Sequence, residues 1–381
     1  GGAVTLSASR MDMARSCHFA YFMRYGLKAR ERTGAGFDAP QIGTFVHDVM
    51  EHTLRQAKEC GGLHTLSKDK LHALVRASIE EYIDRVLPDL CEKSARFRYL
   101  FNRLCATVER IMDEVSEELQ SSDFEPLAFE LEFGADGQLP AITIREENGT
   151  ARVVGKVDRV DGWLHDGKLY LRVVDYKTGK KSFDLAELRY GLGLQMLLYL
   201  FTLKEEGQML FGGHEIVPAG VLYTPAREPM LRCARDTEPE TIEKALKKEL
   251  RRSGMVLEDP AVLQAMEHSA LESPCYLPIA VKRDGAVTGS LASAEQLGKL
   301  SKYVDHILHE ITQEVFAGNI DADPYARTPQ QSACTYCEFA SACHFENGCG
   351  SDRMEYIKAT KNDEFWQYID EVNGEGAHEN G

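Results

Sequence analysis

Two apolar runs joined by a tight-turn dipeptide constrain this chain more than any other feature. Residues 152–160 and 169–176 read as strands, and Asp166-Gly167 between them suits a hairpin turn. A buried hairpin needs further strands beside it or helices over it, and the flanking sequence offers both. Strands are expected at 127–133, 141–146 and 216–223, where apolar residues alternate or cluster. Helices are expected at 6–28, 43–57, 68–86, 96–119, 185–204, 239–252 and 294–317; Phe45, Val46, Val49, Met50 and Leu54 mark one apolar stripe. Residues 34–40 read as a break and 253–293 as a weakly patterned stretch. Helices with a mixed sheet make an α/β or α+β core, and 43% hydrophobic against 27% charged residues is enough to bury one. The longest apolar helical stretch, 192–203, is interrupted by Gly193, Gln195 and Thr202, which argues against a membrane span. No signal-peptide pattern opens the chain, so a cytoplasmic location is expected.

The two hairpin strands carry the most informative polar residues. Asp175 and Lys177 stand two apart at the end of an apolar run, so both side chains emerge on one face. The hairpin turn lets Asp158 approach Asp175 from the neighbouring strand. Two carboxylates at one point need a cation between them, and hard oxygen ligands suit Mg²⁺ or Mn²⁺. Lys177 beside that ion can orient a water or neutralise charge on a phosphate. Read singly, each of these residues fits a solvated strand face; read as paired segments, they fit a metal site. His47 and Glu51 lie four apart on one helical face, and His47 can add one nitrogen ligand. Gln195 and Tyr199 form another such pair inside an apolar helix, where they need polar partners: a phosphate, the carboxylates or each other.

Cys334, Cys337 and Cys343 crowd into ten residues, and Cys17 completes a set of four if the chain ends meet. Four sulfur ligands suit tetrahedral Zn²⁺ and an iron-sulfur cluster equally, and Cys349 competes as the fourth ligand. With a formal charge of -16, any nucleic-acid site must be a local basic patch. The first 32 residues supply one candidate, with Arg10, Arg15, Arg24, Lys28, Arg30 and Arg32 among Phe19, Tyr21, Phe22 and Tyr25. The rival reading has those aromatics covering the cysteine site. No phosphate-binding loop ending in Gly-Lys-Ser/Thr occurs, so ATP hydrolysis is not expected.

Four segments, in order, resemble the RecB-like branch of the PD-(D/E)XK nuclease superfamily: Gly43-Thr44-Phe45-Val46-His47, Gly155-Lys156-Val157-Asp158-Arg159, Asp175-Tyr176-Lys177-Thr178-Gly179 and Gln195-Met196-Leu197-Leu198-Tyr199. The resemblance implies a restriction-endonuclease-like mixed sheet flanked by helices. It also implies that His47, Asp158, Asp175 and the Tyr176 carbonyl hold the metal, that Lys177 assists the water, and that Gln195 and Tyr199 support the DNA or the lysine. The segments Ser16-Cys17-His18-Phe19-Ala20-Tyr21-Phe22 and 334–343 are similar to those of AddB-type subunits of bacterial AddAB helicase-nucleases.

That likeness, over roughly residues 5–350, implies a [4Fe-4S] cluster on Cys17, Cys334, Cys337 and Cys343, with Cys349 left out. A crosslink across the 317 residues separating Cys17 from Cys334 is worth roughly 6 kcal/mol in chain entropy. The implied activity is Mg²⁺-dependent exonuclease cleavage of single-stranded DNA, on the 5'-ended strand, during double-strand break repair. The implied partners are single-stranded DNA, duplex ends and an AddA-type helicase-nuclease subunit, with no membrane. The alternative is a cluster-stabilised DNA-end-binding or assembly module that does not cut. Six segments are expected: 1–40 around Cys17, a helical part at 41–125, the nuclease core at 126–235, a second helical part at 236–325, the cysteine segment at 326–350, and a helix with an acidic tail at 351–381. Such subunits carry a helicase-like region ahead of the nuclease, so this chain is expected to be the C-terminal part of a longer one.

Overall fold

The computed structural model describes residues 2–30 and 39–379. Glu31, Arg32 and the expected break over 34–38 lie outside the described residues. In chain order, the elements used below are strand β1 (Gly2–Leu6), helices α1 (Ala8–Ser16), α2 (Ala39–Glu59), α3 (Lys68–Val86) and α4 (Ala95–Gln120), then strands β2 (Glu125–Phe133), β3 (Ile142–Glu146), β4 (Gly149–Val153), β5 (Gly155–His165) and β6 (Lys168–Lys177). Helix α5 (Gln195–Glu206), strands β7 (Glu215–Pro225), β8 (Ser253–Leu257) and β9 (Leu291–Ala292), and helices α6 (Ala294–Ala317) and α7 (Asn362–Glu379) follow.

Among the described residues the central sheet runs β9-β8-β7-β6-β5-β2, with the parallel pair β6/β7 at its middle. The expected hairpin is its spine. Asp166 and Gly167 both take positive φ, 48° and 76°, the conformation a two-residue turn needs, and Arg159 pairs with Val174 in the resulting register. β5 and β6 are covered on both sides, so Val157, Val160, Leu171, Val173 and Val174 are buried. Helix α4 shows the matching period: Phe101, Val108, Ile111, Met112, Val115 and Leu119 are buried, and Ser94 caps its start by accepting from the Phe97 N–H. No helix of the described residues is long and apolar enough to cross a membrane.

Five expectations change. The weakly patterned stretch 253–293, inside the part expected to be helical at 236–325, supplies β8 and β9 of the central sheet and a helix at Pro260–Met266. The strand expected at 152–160 is two strands: the chain turns at Val154, and β4 pairs with β1 and β3 in a separate small sheet. The helix expected at 185–204 is also two, because Gly191 and Gly193 take φ of 74° and 69°, which ends Leu185–Arg189 and lets α5 start afresh at Gln195. The segment expected as one helix over 6–28 opens with the end of β1 and breaks at Cys17, whose extended backbone (φ -173°) separates α1 from the short helix His18–Tyr21. Residues 39 and 40, expected in a break, already belong to α2, whose first turn tolerates proline.

Under the sheet lies a buried charge network. Arg159 donates to the Tyr176 hydroxyl (2.7 Å) and to Asp161, Arg172 pairs with Asp161 (2.9 Å) and Glu118 (3.5 Å), and Arg252 pairs with Glu118 (2.6 Å). Arginines surrounding Glu118 outweigh its burial and hold its carboxyl down at about 2. The network ties α4 and Arg252, just ahead of β8, to one face of β5 and β6, leaving Asp158 and Asp175 to emerge on the other.

Candidate metal centre

Extending the Arg159–Val174 register by one residue sets Asp158 opposite Asp175, so both carboxylates face the same side of the sheet. Asp158 Oδ2 accepts from the Tyr176 backbone N–H (2.8 Å), which locks its rotamer across the strand pair. His47, on α2, reaches in from the sheet end: its Nε2 lies 2.9 Å from the Tyr176 carbonyl oxygen and its Nδ1 3.3 Å from Asp158 Oδ1. Lys177 Nζ pairs with Asp175 Oδ2 at 2.7 Å and lies over the Tyr223 ring. The sequence-derived residues His47, Asp158, Asp175, Tyr176 and Lys177 therefore meet at one place.

Glu130 joins them, and the sequence reading missed it. Its carboxylate, with the donor atoms of His47 and Asp158, forms the one set of three donor side chains among the described residues whose ligand atoms all lie within 4.8 Å of one another. Asp175 stands outside this tight set, turned towards Lys177. Glu130 falls opposite Asp158 in the β2/β5 register, in left-handed backbone (φ 49°), and ion-pairs with Lys156. The available signal was an acid on the polar face of a strand beside Asp158, but an alternating strand exposes such acids routinely.

The electrostatics are those of a site short of positive charge. Burial pushes the Asp175 carboxyl up to about 6, and the neighbouring Asp158 charge adds to it. Burial and Asp158 raise Glu130 as well, against the pull of Lys156. Burial opposes charge on His47, yet the Asp158 carboxylate and the Tyr176 carbonyl outweigh it and push the imidazole up to about 9. His47 thus holds a proton where a divalent ion would serve both oxygens.

Gln195 and Tyr199 act one layer out. Tyr199 stacks on Phe133 (5.3 Å between centroids), interacts with the Gln195 side chain, and accepts from the Lys156 backbone N–H at 3.3 Å. Its hydroxyl occupies space that only glycine leaves: a Cβ on Gly155 would sit 2.3 Å from that oxygen. The pair braces β5 two residues ahead of Asp158. Asp12, also missed in the sequence, is a half-buried carboxyl that accepts from the Gly193 N–H (2.9 Å), and desolvation raises its pKa.

Cys17, Cys334, Cys337 and Cys343 line one cavity of about 160 Å³, with Phe19 and Phe345 among its walls; Cys349 is exposed elsewhere. Phe19 therefore faces the cysteines. Three cations of the N-terminal segment are engaged: Arg15 with Glu310 and Glu314, Arg24 with Glu338, and Arg10 with the Thr5 carbonyl and the Tyr25 ring.

The family model of the PD-(D/E)XK nuclease superfamily matches residues 5–344. Among curated proteins, the chain is 31% identical over 378 residues to an ATP-dependent helicase/deoxyribonuclease subunit of Thermoanaerobacter sp. (strain X514), covering 98% of this chain and 33% of that protein. It is 33% identical over 373 residues to the protein of the same name from Acetivibrio thermocellus, covering 97% and 32% respectively. The chain spans about a third of the length of the curated relatives it matches.

Proposed function

The chain belongs to the PD-(D/E)XK nuclease superfamily, and on that footing we propose that it is a divalent-metal-dependent deoxyribonuclease that hydrolyses phosphodiester bonds in single-stranded DNA. The observation that carries this is the convergence of His47, Glu130 and Asp158 beside the Asp175–Lys177 pair. His47, Asp158, Asp175 and the Tyr176 carbonyl would hold Mg²⁺ or Mn²⁺, with Glu130 close enough to join. Bound there, the ion supplies a water of lowered pKa and offsets charge on the phosphate. Paired with Asp175, Lys177 would face the phosphate oxygens, and His47 would have to shed its proton to act as a ligand. Gln195 and Tyr199 hold the Asp158 strand in place.

The relatives' name, a helicase/deoxyribonuclease subunit, supports a partner motor subunit; that this partner feeds the strand in double-strand break repair, with the 5'-ended strand as substrate, is part of the same proposal. A [4Fe-4S] cluster on Cys17, Cys334, Cys337 and Cys343 belongs to the same reading. Burial pushes the Cys17 thiol up to about 11 and raises Cys334 and Cys343, so the sulfurs lining this cavity stay protonated unless a cationic centre displaces their protons. Four sulfurs also suit tetrahedral zinc, and the two centres differ in composition. Iron and sulfide analysis of anaerobically prepared protein separates them: one equivalent of zinc without iron would replace the cluster.

The test of the activity is cleavage of end-labelled single-stranded DNA with Mg²⁺ or Mn²⁺, by this chain and by its complex with the motor subunit. Asp175→Ala and Lys177→Ala should each abolish cutting while leaving the fold and the iron content unchanged. Normal cutting by both variants would remove the assignment, and metal-independent binding with no cleavage even in the complex would support the assembly-module alternative.

A further inference from the structure

We propose that the groove leading from Lys177 past Lys180, Lys181, Arg227 and Arg251 is the track for the sugar-phosphate backbone of the bound strand beyond the cleavage point. The proposal rests on the nuclease reading and gives that site its substrate path. A cavity of about 350 Å³ opens directly from Lys177, and its lining carries five cations against one carboxylate, Glu249. In a chain with a formal charge of -16, such a patch beside the carboxylates is where a polyanion can approach.

The two arginines form its fixed wall. Arg227 pairs with Glu249 at 3.4 Å and accepts from Arg110 at its backbone carbonyl, while Arg251 donates to the Pro274 carbonyl. Lys180 and Lys181 form the adaptable wall. Both are exposed; Lys181 makes only a long 3.5 Å pair with Glu187, and Lys180 has no ion-pair partner among the described residues. The N-terminal arginines Arg15 and Arg24, by contrast, are already engaged with Glu310, Glu314 and Glu338. Tyr223, beneath Lys177, is 4% exposed and cannot stack on a base, so the groove holds backbone charge and does not read sequence.

The experiment measures binding of fluorescent oligothymidylate by anisotropy, with Ca²⁺ in place of Mg²⁺, across a salt series. The Lys180→Ala/Lys181→Ala variant should bind several-fold more weakly, and its log-log salt slope should shrink by about 0.7 per removed lysine. Its hydrolysis of the small ester bis(p-nitrophenyl) phosphate with Mn²⁺ should match the wild type. Lys168→Ala, at the far end of β6, should leave the slope unchanged. A wild-type slope in the double variant, an equal per-charge loss in Lys168→Ala, or a wild type that does not bind the oligonucleotide would each overturn the track. A wild type that binds with the expected slope difference yet never hydrolyses the small ester would count against the nuclease reading and leave the groove standing.

Discussion

The Glu130 carboxylate lies within 4.8 Å of the His47 and Asp158 donor atoms, carried there by left-handed backbone. Glu130→Gln should weaken metal binding by about tenfold or more, as loss of a coordinating or supporting carboxylate does; titrating cleavage with Mg²⁺ reads the shift, and an unchanged midpoint would exclude Glu130 from the site. Asp158, Asp175 and Lys177 could be read from the sequence because each puts a charge within or at the end of an apolar run. Glu130 could not, because its left-handed conformation has neither Gly nor Asn to announce it. Asp175 gives a second outcome, with a definite sign. Its folded pKa, about 6, lies above the ordinary 3.8, so the metal-free fold binds this proton more tightly than the unfolded chain does. The metal-free protein therefore loses stability as pH rises from about 4 to about 6. Asp175→Asn removes that loss. Melting curves in EDTA should show the variant gaining on the wild type across this window while cleavage disappears; parallel curves would mean that Asp175 is not strained by burial and Asp158.

At the scale of elements, the sequence located most helices and strands but misjudged where they stop. The helices at 68–86 and 294–317 lie where the apolar period places them. Two of the errors fall beside the site: β4 and β5 part at Val154, and the helix at 185–204 breaks where α5 begins beside the carboxylates. Asp12 fixes that break by accepting from Gly193, which links α1, just ahead of Cys17, to the start of α5. Seating α5 on β5 depends on Gly155. Gly155→Ala would drive a Cβ into the Tyr199 hydroxyl, which is held by stacking and cannot swing away, and should cost about 1–3 kcal/mol. Adding Tyr199→Leu should recover part of that loss. Urea denaturation of the four members of the cycle would reveal the coupling; strict additivity would mean that the two residues do not press on each other.

Across the whole molecule, the segment around Cys17 and the segment around Cys334–Cys343 meet at one cavity, and the cluster proposed there would not be the only tie between them. Phe19 N–H donates to the Asp321 carbonyl, His18 pairs with Asp323 at 2.6 Å, and Arg15 and Arg24 reach Glu314 and Glu338. Removing a ligand of that proposed cluster therefore should not release the full crosslink term of roughly 6 kcal/mol, because ion pairs still hold the two segments together. Those pairs are partly exposed, and salt weakens them. Cys17→Ser should accordingly lower the unfolding midpoint modestly at low salt and more at about 1 M NaCl, whereas a wild type carrying the proposed cluster should barely respond to the same change. Melting both proteins at the two salt concentrations separates the contributions. If the variant's deficit is the same in both, the ion pairs carry none of the closure; if there is no deficit in either, the cysteine set does not staple the fold.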